Sequence, residues 1–423
     1  MRRLSAPQPA VGFDLDGQTL QGQSHDTVAS AMLACGETLF SRSIKYHRPR
    51  GAFCFSGACA QCLMRIDGVP NLPACQTPLS PGMRVERQNA FPSAKVDVFS
   101  ITDWFFPKGL NHHELFAGVP LAEDVMAKVA RQLAGLGKLP EKGAPPIGPL
   151  QVRRVPLAII GGGSAGLSAA LTLAKEKVPF VLFERTLRPG GRLRHDAPSP
   201  DDPPLPDRLG QVDWLQLEST ALGIFEDGGE RFFIVRTPTG LQQVFFGKAL
   251  LALGGYPSML TFENNDLPGV FAGAAVARLI RQFRLLPGER FALVGALEDC
   301  APYAKLLGDH HATVVTPGGP PVRAHGVSHV TDVTVLQDGQ ERKVACDTIV
   351  VCAKNSPSFE LAEQGGAQVR FNPATGTFAV VADEQGLAAQ GLYVAGQQLG
   401  PVSAAEAVLS GRRAALAMGG SPS

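Results

Sequence analysis

The sequence predicts an α/β chain in which a small domain of α+β type precedes two domains built from βαβ units. Residues 11–23 alternate apolar and polar side chains around Asp16-Gly17, a pattern typical of a β-hairpin. An apolar strand that begins at Val155 leads into a glycine-rich turn and a helix, and a second apolar run begins at Phe291. Alternating strands and helices follow both runs, which predicts two βαβ-type domains. A chain of 423 residues is long enough for two or three hydrophobic cores.

The composition excludes several classes of protein. Hydrophobic residues make up 44% of the chain, charged residues 18%, and the net charge is +1, which disfavours a disordered chain and a nucleic-acid-binding protein. Met1 to Ala10 has two arginines but no apolar run behind them, which argues against a secretory signal. The uncharged stretch Val155 to Ala174 contains a Gly161-Gly162-Gly163 turn, which favours strand, turn and helix over a membrane span. We therefore expect a cytoplasmic protein without a membrane span.

The N-terminal domain is predicted to contain short elements. Thr27 can cap a helix that continues to Gly36, the usual stop residue. A loop rich in glycine and cysteine follows, then a strand over Leu63–Ile66, a turn at Asp67-Gly68 and another short strand near Pro73–Thr77. This domain is expected to end near residue 90.

The remaining domain boundaries rest on the same kinds of signal. An amphipathic helix is predicted from about Leu121 to Leu136, within a connector. The last segment, Gly391 to Ala417, again has the pattern strand, turn, helix, and is expected to rejoin the domain that begins at residue 152. The predicted domains are therefore residues 1–90, the connector 91–151, residues 152–260 with 371–423, and residues 261–370.

Four cysteines crowd into one short segment with the spacing Cys54-x4-Cys59-x2-Cys62-x12-Cys75. Three thiolates on one loop and a fourth beyond it match the ligand spacing of a plant-type two-iron two-sulfur cluster. Small residues between the cysteines allow backbone N–H groups to approach the sulfurs. A structural zinc is the alternative, but zinc ligands usually come as two short Cys or His pairs. The sequence therefore predicts that these four cysteines hold a two-iron two-sulfur cluster.

The other four cysteines, Cys35, Cys300, Cys346 and Cys352, lie alone in apolar stretches of sequence. A disulfide framework is not expected in a cytosolic chain of this size. Because free cysteine is among the most frequently buried residue types, all four are predicted to be small core residues.

Residues 157–166 form a strand that runs into the pattern G-x-G-x-x-G, with glycines at Gly161, Gly163 and Gly166. The first glycine permits a tight turn, the second lets a pyrophosphate approach the backbone, and the third allows close packing of the following helix. Glu184 ends the next strand, eighteen residues after Gly166, where its carboxylate can bind ribose hydroxyls. Strand, turn, helix and acid together predict a dinucleotide site.

Several segments resemble a known family. Pro189–Leu193, Leu251–Gly255 with Asp266–Val270, and Gly396–Arg413 resemble the FAD-contacting segments of the disulfide-reductase-like flavoproteins. Arg42–Gly51, ahead of the cysteine loop, resembles the N-terminal region of the sarcosine oxidase alpha subunit and of its relatives in hydrogen cyanide synthase and opine oxidases. The resemblance covers nearly the whole sequence, although in some of these relatives the two modules are separate chains.

The resemblance implies a fold class and a cofactor. The fold is expected to be α/β with an α+β N-terminal domain, namely a ferredoxin-like β-grasp domain followed by two Rossmann-like dinucleotide-binding domains of the disulfide-reductase-like flavoprotein type. The dinucleotide is expected to be FAD. Gln397 stands where the family usually has Asp, and the helix opened by Pro401 to Ser403 could stabilise negative charge on a reduced flavin. The residues expected to bind FAD are Gly161, Gly163, Ser164, Ala165, Gly166, Glu184, Arg185, Gly191, Arg192, Leu193, Ala252, Gly254, Gly396, Gln397 and Ser403.

The resemblance also implies a partner. In the family this is a glycine-oxidase-like FAD subunit that oxidises an amino or imino acid, so we expect a hetero-oligomer in which the present chain relays electrons through its cluster and FAD. The substrate pocket is expected on the partner, and no catalytic residue is identified in this chain.

The second apolar run has a damaged fingerprint, because Arg290 to Ala301 keeps Gly295 alone of the three glycines. The next strand, Thr313–Thr316, ends without an acid, so NADH binding by the usual backbone route is disfavoured; another adenine nucleotide or a structural role stays open. Cys300 has no partner at Cys-x-x-Cys spacing, which argues against a thioredoxin-reductase-like role. The remaining alternatives are a self-sufficient NAD(P)H-dependent reductase and a non-catalytic scaffold.

Overall fold

The structure is a computed structural model with side chains, and its chain divides into two compact units. The first unit combines residues 1–144 with 259–353, and the second combines residues 145–258 with 354–423. The predicted helix from Leu121 to Leu136 lies outside the described residues. The structure describes residues 1–4, 9–44, 46–100, 140, 143, 148–196, 202–203, 212–308, 310, 312–315, 323–337, 339–373 and 375–419.

The N-terminal part of the first unit consists of short strands and one helix. Its elements are β1 (Arg2–Arg3), β2 (Ala10–Leu15), β3 (Gln18–Gln23), α1 (Val28–Ala34), β4 (Ser41–Arg42), β5 (Pro49–Arg50), β6 (Leu63–Ile66), β7 (Val69–Pro73) and β8 (Arg84–Glu86). Five of them form a mixed sheet in the order β3-β2-β8-β6-β7, in which β2 and β8 run parallel. Helix α1 is almost entirely buried, so its side chains form much of the core of this domain.

The helix prediction at Thr27 is confirmed by its cap. The Thr27 hydroxyl accepts a hydrogen bond from the Ser30 N–H at 3.3 Å, and the Ser30 hydroxyl accepts one from the Thr27 N–H at 3.0 Å. This reciprocal arrangement is a capping box, which satisfies two N–H groups that the first helical turn leaves without partners.

The two hairpin turns explain one correct and one wrong strand boundary. Asp16 and Gly17 have φ angles of 52° and 87°, and Asp67 and Gly68 have 48° and 80°, so each pair adopts the left-handed conformation of a two-residue turn. The first turn forms the predicted hairpin. The second pairs Ile66 directly with Val69, so β7 begins four residues earlier than the predicted strand near Pro73–Thr77, which is wrong.

The first segment of the second unit contains an extended sheet and the glycine turn. Its elements are β9 (Gln151–Ile160), α2 (Ser164–Lys175), β10 (Val181–Phe183), a 3₁₀ turn (Gly191–Arg194), β11 (Leu215–Gln216), β12 (Thr220–Asp227), β13 (Glu230–Thr237), β14 (Gly240–Leu251) and β15 (Gly255–Tyr256).

The chain then returns to the first unit. The elements of this segment are β16 (Val270–Ala272), α3 (Gly273–Phe283), β17 (Leu285–Leu286), β18 (Phe291–Gly295), α4 (Leu297–Leu307), β19 (Ala312–Val315), β20 (Arg323–His325), β21 (Asp332–Gln337), β22 (Gln340–Ala345) and β23 (Thr348–Cys352). Strands β16, β23, β18 and β19 form a parallel sheet in that order, and β20 to β22 form an antiparallel one.

The last segment completes the second unit. Its elements are β24 (Ser356–Pro357), α5 (Glu360–Gln364), β25 (Val369–Asn372), β26 (Thr377–Val380), β27 (Leu387–Ala389), β28 (Leu392–Val394), a 3₁₀ turn (Gly396–Leu399) and α6 (Ala404–Gly419). Strand β28 pairs in parallel with β14, which itself pairs in parallel with β9, so the end of the chain joins the sheet that follows residue 150.

The central strands of the second unit are buried on both faces. Leu157 and Ile159 of β9 contribute to one apolar cluster, and Ala158 and Ile160 contribute to the other. A strand covered on both sides must be apolar at consecutive positions, which explains why the predicted strand reads as an unbroken hydrophobic run.

The first unit has one continuous core that includes both of its segments. Apolar residues of the N-terminal domain, such as Phe13 and Met64, belong to the same cluster as Phe271 and Val350 of the second segment. Strand β1 pairs with β17, which adds backbone hydrogen bonds between the segments. Among the described residues, no helix combines the length and apolar character needed to cross a membrane.

We predict that Gly411→Ala destabilises the second unit. A Cβ at Gly411 of α6 would lie 2.1 Å from the carbonyl oxygen of Ala165 in α2, so the two helices would have to separate. The clash should cost about 1–3 kcal/mol, more than the gain of up to about 1 kcal/mol in helix propensity. Thermal unfolding should show a melting temperature lower by several degrees. Gly12→Ala, where no atom lies within 4 Å, is the control, and equal melting temperatures for both variants would contradict this helix packing.

Candidate functional site

The structure brings the four predicted cluster ligands together. Cys54, Cys59 and Cys62 lie on the loop between β5 and β6, and Cys75 follows β7. Cys54, Cys62 and Cys75 are buried, whereas Cys59 is partly exposed. The Cys54 thiol hydrogen-bonds with Cys59 and Cys75, and Cys62 hydrogen-bonds with Cys75. Four sulfurs thus converge at one place in the N-terminal domain.

The thiols of this group differ in their affinity for protons. Hydrogen bonds from Cys59 and Cys75 lower the pKa of Cys54, and a hydrogen bond from Cys75 lowers the pKa of Cys62. Hydrogen bonding to Cys54, with burial, raises the pKa of Cys59 and of Cys75. Thiolates in contact repel one another, so deprotonation of all four is favoured when positive iron lies between them.

The backbone of the loop also suits a sulfur-ligated cluster. Phe55, Gly57 and Ala60 have φ angles of 49°, 76° and 55°, which turn the chain tightly around the sulfurs. The Ser56 N–H donates to the Cys54 sulfur at 3.4 Å, and the side-chain amide of Gln76 lies 3.5 Å from the Cys75 sulfur. Four convergent thiols with N–H donors fit a two-iron two-sulfur cluster.

The segment Arg42–Gly51 has a structural role that its sequence did not reveal. Arg48 forms a bidentate pair with Asp266 at 3.1 and 2.9 Å, and Arg50 lies 3.1 Å from the same carboxylate. A Cβ at Gly51 would lie 2.8 Å from Cα of Pro268. Asp266 had been placed by resemblance in an FAD-contacting segment. In the structure its carboxylate holds the two arginines within the first unit.

His47 of the same segment is buried against a second acid. Its Nδ1 lies 2.8 Å from Asp97 Oδ2, and the other oxygen of Asp97 accepts a hydrogen bond from the Phe91 N–H at 3.1 Å. Arg42 Nε lies 3.8 Å from the Asp97 carboxylate. These contacts join the loop before β5 to residues 91–97, and they indicate a structural role for His47.

The predicted dinucleotide turn in the second unit has the geometry that its glycines require. Gly161 has a φ of 103°, and a Cβ there would lie 2.4 Å from the Ala252 carbonyl oxygen. A Cβ at Gly166 would lie 1.9 Å from the Gly161 carbonyl oxygen, so only glycine allows α2 to approach the turn. Gly163, in contrast, has no atom within 4 Å of the position of a Cβ. This open position is where a pyrophosphate approaches the backbone in this kind of turn.

Glu184 stands beside this turn, where the sequence placed it. Its carboxylate accepts hydrogen bonds from the Gly162 N–H at 2.7 Å, and from the Thr186 N–H and hydroxyl at 2.9 and 2.7 Å. These donors hold the buried carboxylate in one orientation beside the glycine turn. Each carboxylate oxygen can accept more than one hydrogen bond, so Glu184 can still bind ribose hydroxyls.

Several other predicted FAD residues lie close to the turn. Gly190 donates to the Gly162 carbonyl at 2.7 Å, and a Cβ at Gly191 would lie 3.2 Å from Cα of Gly163. Arg192 donates to Asp196 at 2.5 Å and to the Val402 carbonyl at 3.3 Å. The predicted residues differ in exposure. The buried ones are Ser164, Ala165, Gly166, Ala252 and Gly396. The half-buried ones are Leu193, Gly254 and Gln397, and the exposed ones are Arg185, Gly191 and Ser403.

The sequence did not single out Gln398, although its side chain is the buried amide of the segment Gly396–Arg413. Its side-chain oxygen accepts a hydrogen bond from the Leu253 N–H at 3.2 Å, and its side-chain amide donates to the Ser358 carbonyl at 2.8 Å. Gln397 lies 3.4 Å from the Asn355 side chain. Gln398 therefore fixes the strand end next to Ala252 and Gly254, and leaves Gln397 as the more accessible amide.

The N-terminus of α6 carries its own acid. Glu406 accepts hydrogen bonds from the Ser403 N–H and hydroxyl, both at 2.8 Å, and the Ser403 hydroxyl accepts one from the Glu406 N–H at 3.2 Å. The hydrogen bond from the Ser403 backbone lowers the pKa of Glu406. Two of the donors at this helix end are thus used within the chain, which weakens the predicted role of Ser403 toward a reduced flavin.

The second fingerprint differs from the first at the position that admits phosphate. A Cβ at Gly295 would lie 2.1 Å from the Cys352 carbonyl oxygen, so the first glycine keeps its packing role. Leu297, which takes the place of the second glycine, is 65% exposed at the start of α4, and Glu298 and Asp299 follow it in the first turn. A leucine side chain and two carboxylates oppose a pyrophosphate sterically and electrostatically.

Three of the four remaining cysteines are buried as predicted. Cys346 is buried, and burial raises its pKa to about 12. Cys300 and Cys352 hydrogen-bond to each other, which lowers the pKa of Cys300 and raises that of Cys352. The prediction for Cys35 is wrong, because this residue is the exposed C-cap of α1, where its thiol donates to the Gln21 carbonyl at 3.3 Å.

Two family descriptions match parts of the chain. Residues 8–90 match a 2Fe-2S iron-sulfur cluster binding domain, and residues 159–207 match an NAD(P)-binding Rossmann-like domain. The hydrogen cyanide synthase subunit HcnA of Pseudomonas aeruginosa is 40% identical over 75 residues, which cover 18% of this chain and 71% of that subunit. The sarcosine oxidase subunit alpha of Rhizobium meliloti is 31% identical over 307 residues, which cover 66% of this chain and 31% of the relative. The chain belongs to the family that contains these two subunits.

The membership confirms the resemblance seen in the sequence, and the match over residues 8–90 places an iron–sulfur cluster binding domain at the start of the chain. The chain spans about a third of the length of the curated sarcosine oxidase subunits that it matches. L-proline dehydrogenase from P. horikoshii has the same fold, with a TM-score of 0.74 and 22% identity over 97% of this chain and 73% of that one. The predicted fold class is thereby confirmed.

We predict that Gly163→Ala weakens flavin binding without destabilising the fold. A methyl group there meets no protein atom but would occupy the open position of the turn. Affinity for FAD should fall at least tenfold, or about 1.4 kcal/mol, measured as bound flavin per chain after reconstitution. Gly166→Ala is the contrasting variant, since its methyl group collides with the turn itself and should lower the melting temperature. Full flavin content in Gly163→Ala would contradict the assignment of this turn.

We also predict that Cys59→Ser removes the cluster. A serine hydroxyl is a poorer iron ligand than a thiolate, and three sulfurs do not complete the set. Iron content and visible absorbance of the purified chain should fall to a small fraction of the wild-type values. Cys35→Ser, at an exposed thiol outside the set, should leave both unchanged, and equal iron content in the two variants would refute the ligand assignment.

Proposed function

We propose that this chain is the electron-transfer subunit of a heteromeric amino or imino acid dehydrogenase or oxidase. Cys54, Cys59, Cys62 and Cys75 hold a two-iron two-sulfur cluster, and the glycine turn with Glu184 holds FAD. A glycine-oxidase-like flavoprotein subunit oxidises the substrate, and the present chain relays the electrons. The observation that carries this proposal is that one chain combines four convergent thiols with one dinucleotide turn that is open at Gly163 and a second that has Leu297 at the corresponding position.

The chain's own residues support a relay through two carriers. When bound, FAD can exchange one or two electrons and the cluster exchanges one at a time. Three of the four cysteines are buried, so water is largely excluded from the sulfurs, whereas the partly exposed Cys59 leaves one side open for electron exchange. Gly161 and Gly166 shape the flavin turn, and Glu184 is oriented by three donors for the adenosine ribose.

The second dinucleotide-like turn, which has Leu297 in place of a glycine, argues against a self-sufficient NAD(P)H-dependent reductase. A nicotinamide dinucleotide needs a helix N-terminus open to its pyrophosphate. In the second turn, the first residues of α4 are Leu297, Glu298 and Asp299, so a leucine side chain and two carboxylates stand at this helix N-terminus. We therefore infer that reducing equivalents enter from a partner protein, and the similarity to a sarcosine oxidase subunit supports an amino acid as the original electron donor.

We predict that an amino or imino acid reduces the flavin and the cluster only when a second flavoprotein subunit is present. The chain is purified anaerobically with its co-purifying partner and, separately, alone. Each sample is titrated with proline, sarcosine or glycine and with NADH, while visible spectra and EPR are recorded. An amino acid should bleach the flavin and give the reduced-cluster signal in the complex, and neither compound should do so in the isolated chain.

The Cys59→Ser variant provides the matched control for this experiment. In the complex with this variant the amino acid should still bleach flavin, but the cluster signal should be lost and an external one-electron acceptor should be reduced more slowly. If NADH alone reduces the isolated wild-type chain, the relay proposal is wrong and the chain is a reductase.

A further inference from the structure

The backbone carbonyl groups on both sides of Cys54 are bound by the second segment of the first unit. The N–H of Ala272 donates to the Phe53 carbonyl at 3.0 Å. The guanidinium group of Arg278 donates to the Phe55 carbonyl, although the two residues are 223 positions apart in the sequence. Ala272 ends β16 and Arg278 lies in the helix that follows it, α3. One strand–helix junction therefore holds the loop at the residues before and after its first cysteine.

The conformation of Phe55 is one that its own sequence does not favour. A φ of 49° is left-handed, a conformation that is unfavourable for a residue other than glycine. The Gln76 side chain donates to the same Phe55 carbonyl at 3.3 Å, and the Phe55 ring lies 6.3 Å from that of Phe283, the last residue of α3. Helix α3 thus contacts both the carbonyl and the ring of Phe55.

Arg278 differs from the other donors to this loop in its charge. The Ala272 N–H and the Gln76 amide are neutral, whereas a guanidinium group stays protonated at any accessible pH. Reduction adds one negative charge to an iron–sulfur cluster, so a fixed positive charge nearby favours the reduced state. Net charge, hydrogen bonding and solvent exposure are the factors by which a protein sets the potential of such a cluster.

We propose that Arg278 is the positioning and electrostatic residue of the iron–sulfur site. It holds the Phe55 carbonyl in place beside Cys54 and raises the reduction potential of the cluster. The inference rests on the proposed function only in requiring a two-iron two-sulfur cluster on the four cysteines, and it needs neither the partner nor a substrate.

The test is an EPR-monitored reductive titration of the purified full-length chain, with dithionite and redox mediators. Arg278→Gln keeps a hydrogen-bond donor and removes the charge, and Arg278→Lys keeps the charge and changes the donor. Arg284→Gln is the matched control, because it removes the same charge from an exposed residue just beyond the end of α3. For Arg278→Gln we expect the equilibrium constant for cluster reduction to fall about tenfold, a shift of about 59 mV to a more negative potential. Arg278→Lys and Arg284→Gln should stay close to wild type.

Three outcomes would overturn the proposal. These are an unchanged potential in Arg278→Gln, an equal shift in Arg278→Gln and Arg278→Lys, and an equal shift in Arg278→Gln and Arg284→Gln. The second would show that geometry acts without charge, and the third that any charge on this helix acts alike. A wild-type chain with no iron–sulfur spectrum would refute the proposed function instead, so the two failures are distinguishable.

A second variant keeps the test decisive if Arg278→Gln does not retain iron. Arg278→His is protonated at low pH and neutral at high pH, so its titration is run at an acidic and at an alkaline pH alongside wild type. Relative to wild type at the same pH, its cluster should have a more negative potential at the higher pH than at the lower. A constant difference between Arg278→His and wild type at both pH values would contradict the electrostatic role of Arg278.

Discussion

The cysteine loop has a shape that its own sequence does not favour, so it depends on contacts with the rest of the first unit. Phe55 and Ala60 both adopt left-handed conformations, each at a cost of about 1–2 kcal/mol, so the loop needs support from outside its own sequence. That support comes from Ala272 and Arg278, which bind the carbonyls around Cys54, and from Asp266, which binds Arg48 and Arg50. All three belong to the segment that carries the damaged fingerprint. This segment therefore holds the cysteine loop in place.

The turns at Gly161 and Gly295 share one glycine position and differ at another. Both keep the first glycine, because a side chain there would collide with a carbonyl at the end of the neighbouring strand, that of Ala252 or of Cys352. They differ at the second glycine position, where Gly163 leaves open space and Leu297 carries a side chain that is 65% exposed. Packing therefore requires the first glycine in each turn, whereas it does not require a glycine at position 163.

Local features of the fold were predictable from the sequence because they depend on neighbouring residues. The capped helix at Thr27, the Asp16-Gly17 hairpin and the strand–turn–helix at Gly161 each have their cause within a few positions. The strand after Asp67-Gly68 was misplaced because a two-residue turn starts the return strand at once, and this register is visible only in the backbone angles. Cys35 was misassigned because its apolar neighbours in sequence outweighed the helix end predicted at Gly36, where the C-cap residue is exposed.

The contacts that support the cysteine loop were not predictable, because they join residues far apart in the sequence. The hydrogen bond from Arg278 to Phe55 and the pair between Arg48 and Asp266 join residues more than two hundred positions apart, and no local pattern encodes which arginine meets which carbonyl or carboxylate. The motif around Arg48 resembled a family segment before its role could be stated. Its arginines now have an interpretation: two cations held by one partly buried carboxylate give the contact between the two segments of the unit an orientation that apolar packing alone does not impose. An orientation fixed in this way keeps Ala272 and Arg278 opposite the two carbonyls that flank Cys54. The ion pairs of Asp266 and the hydrogen bonds to the loop therefore form one arrangement. The ion pairs fix the orientation in which Ala272 and Arg278 can donate to the loop.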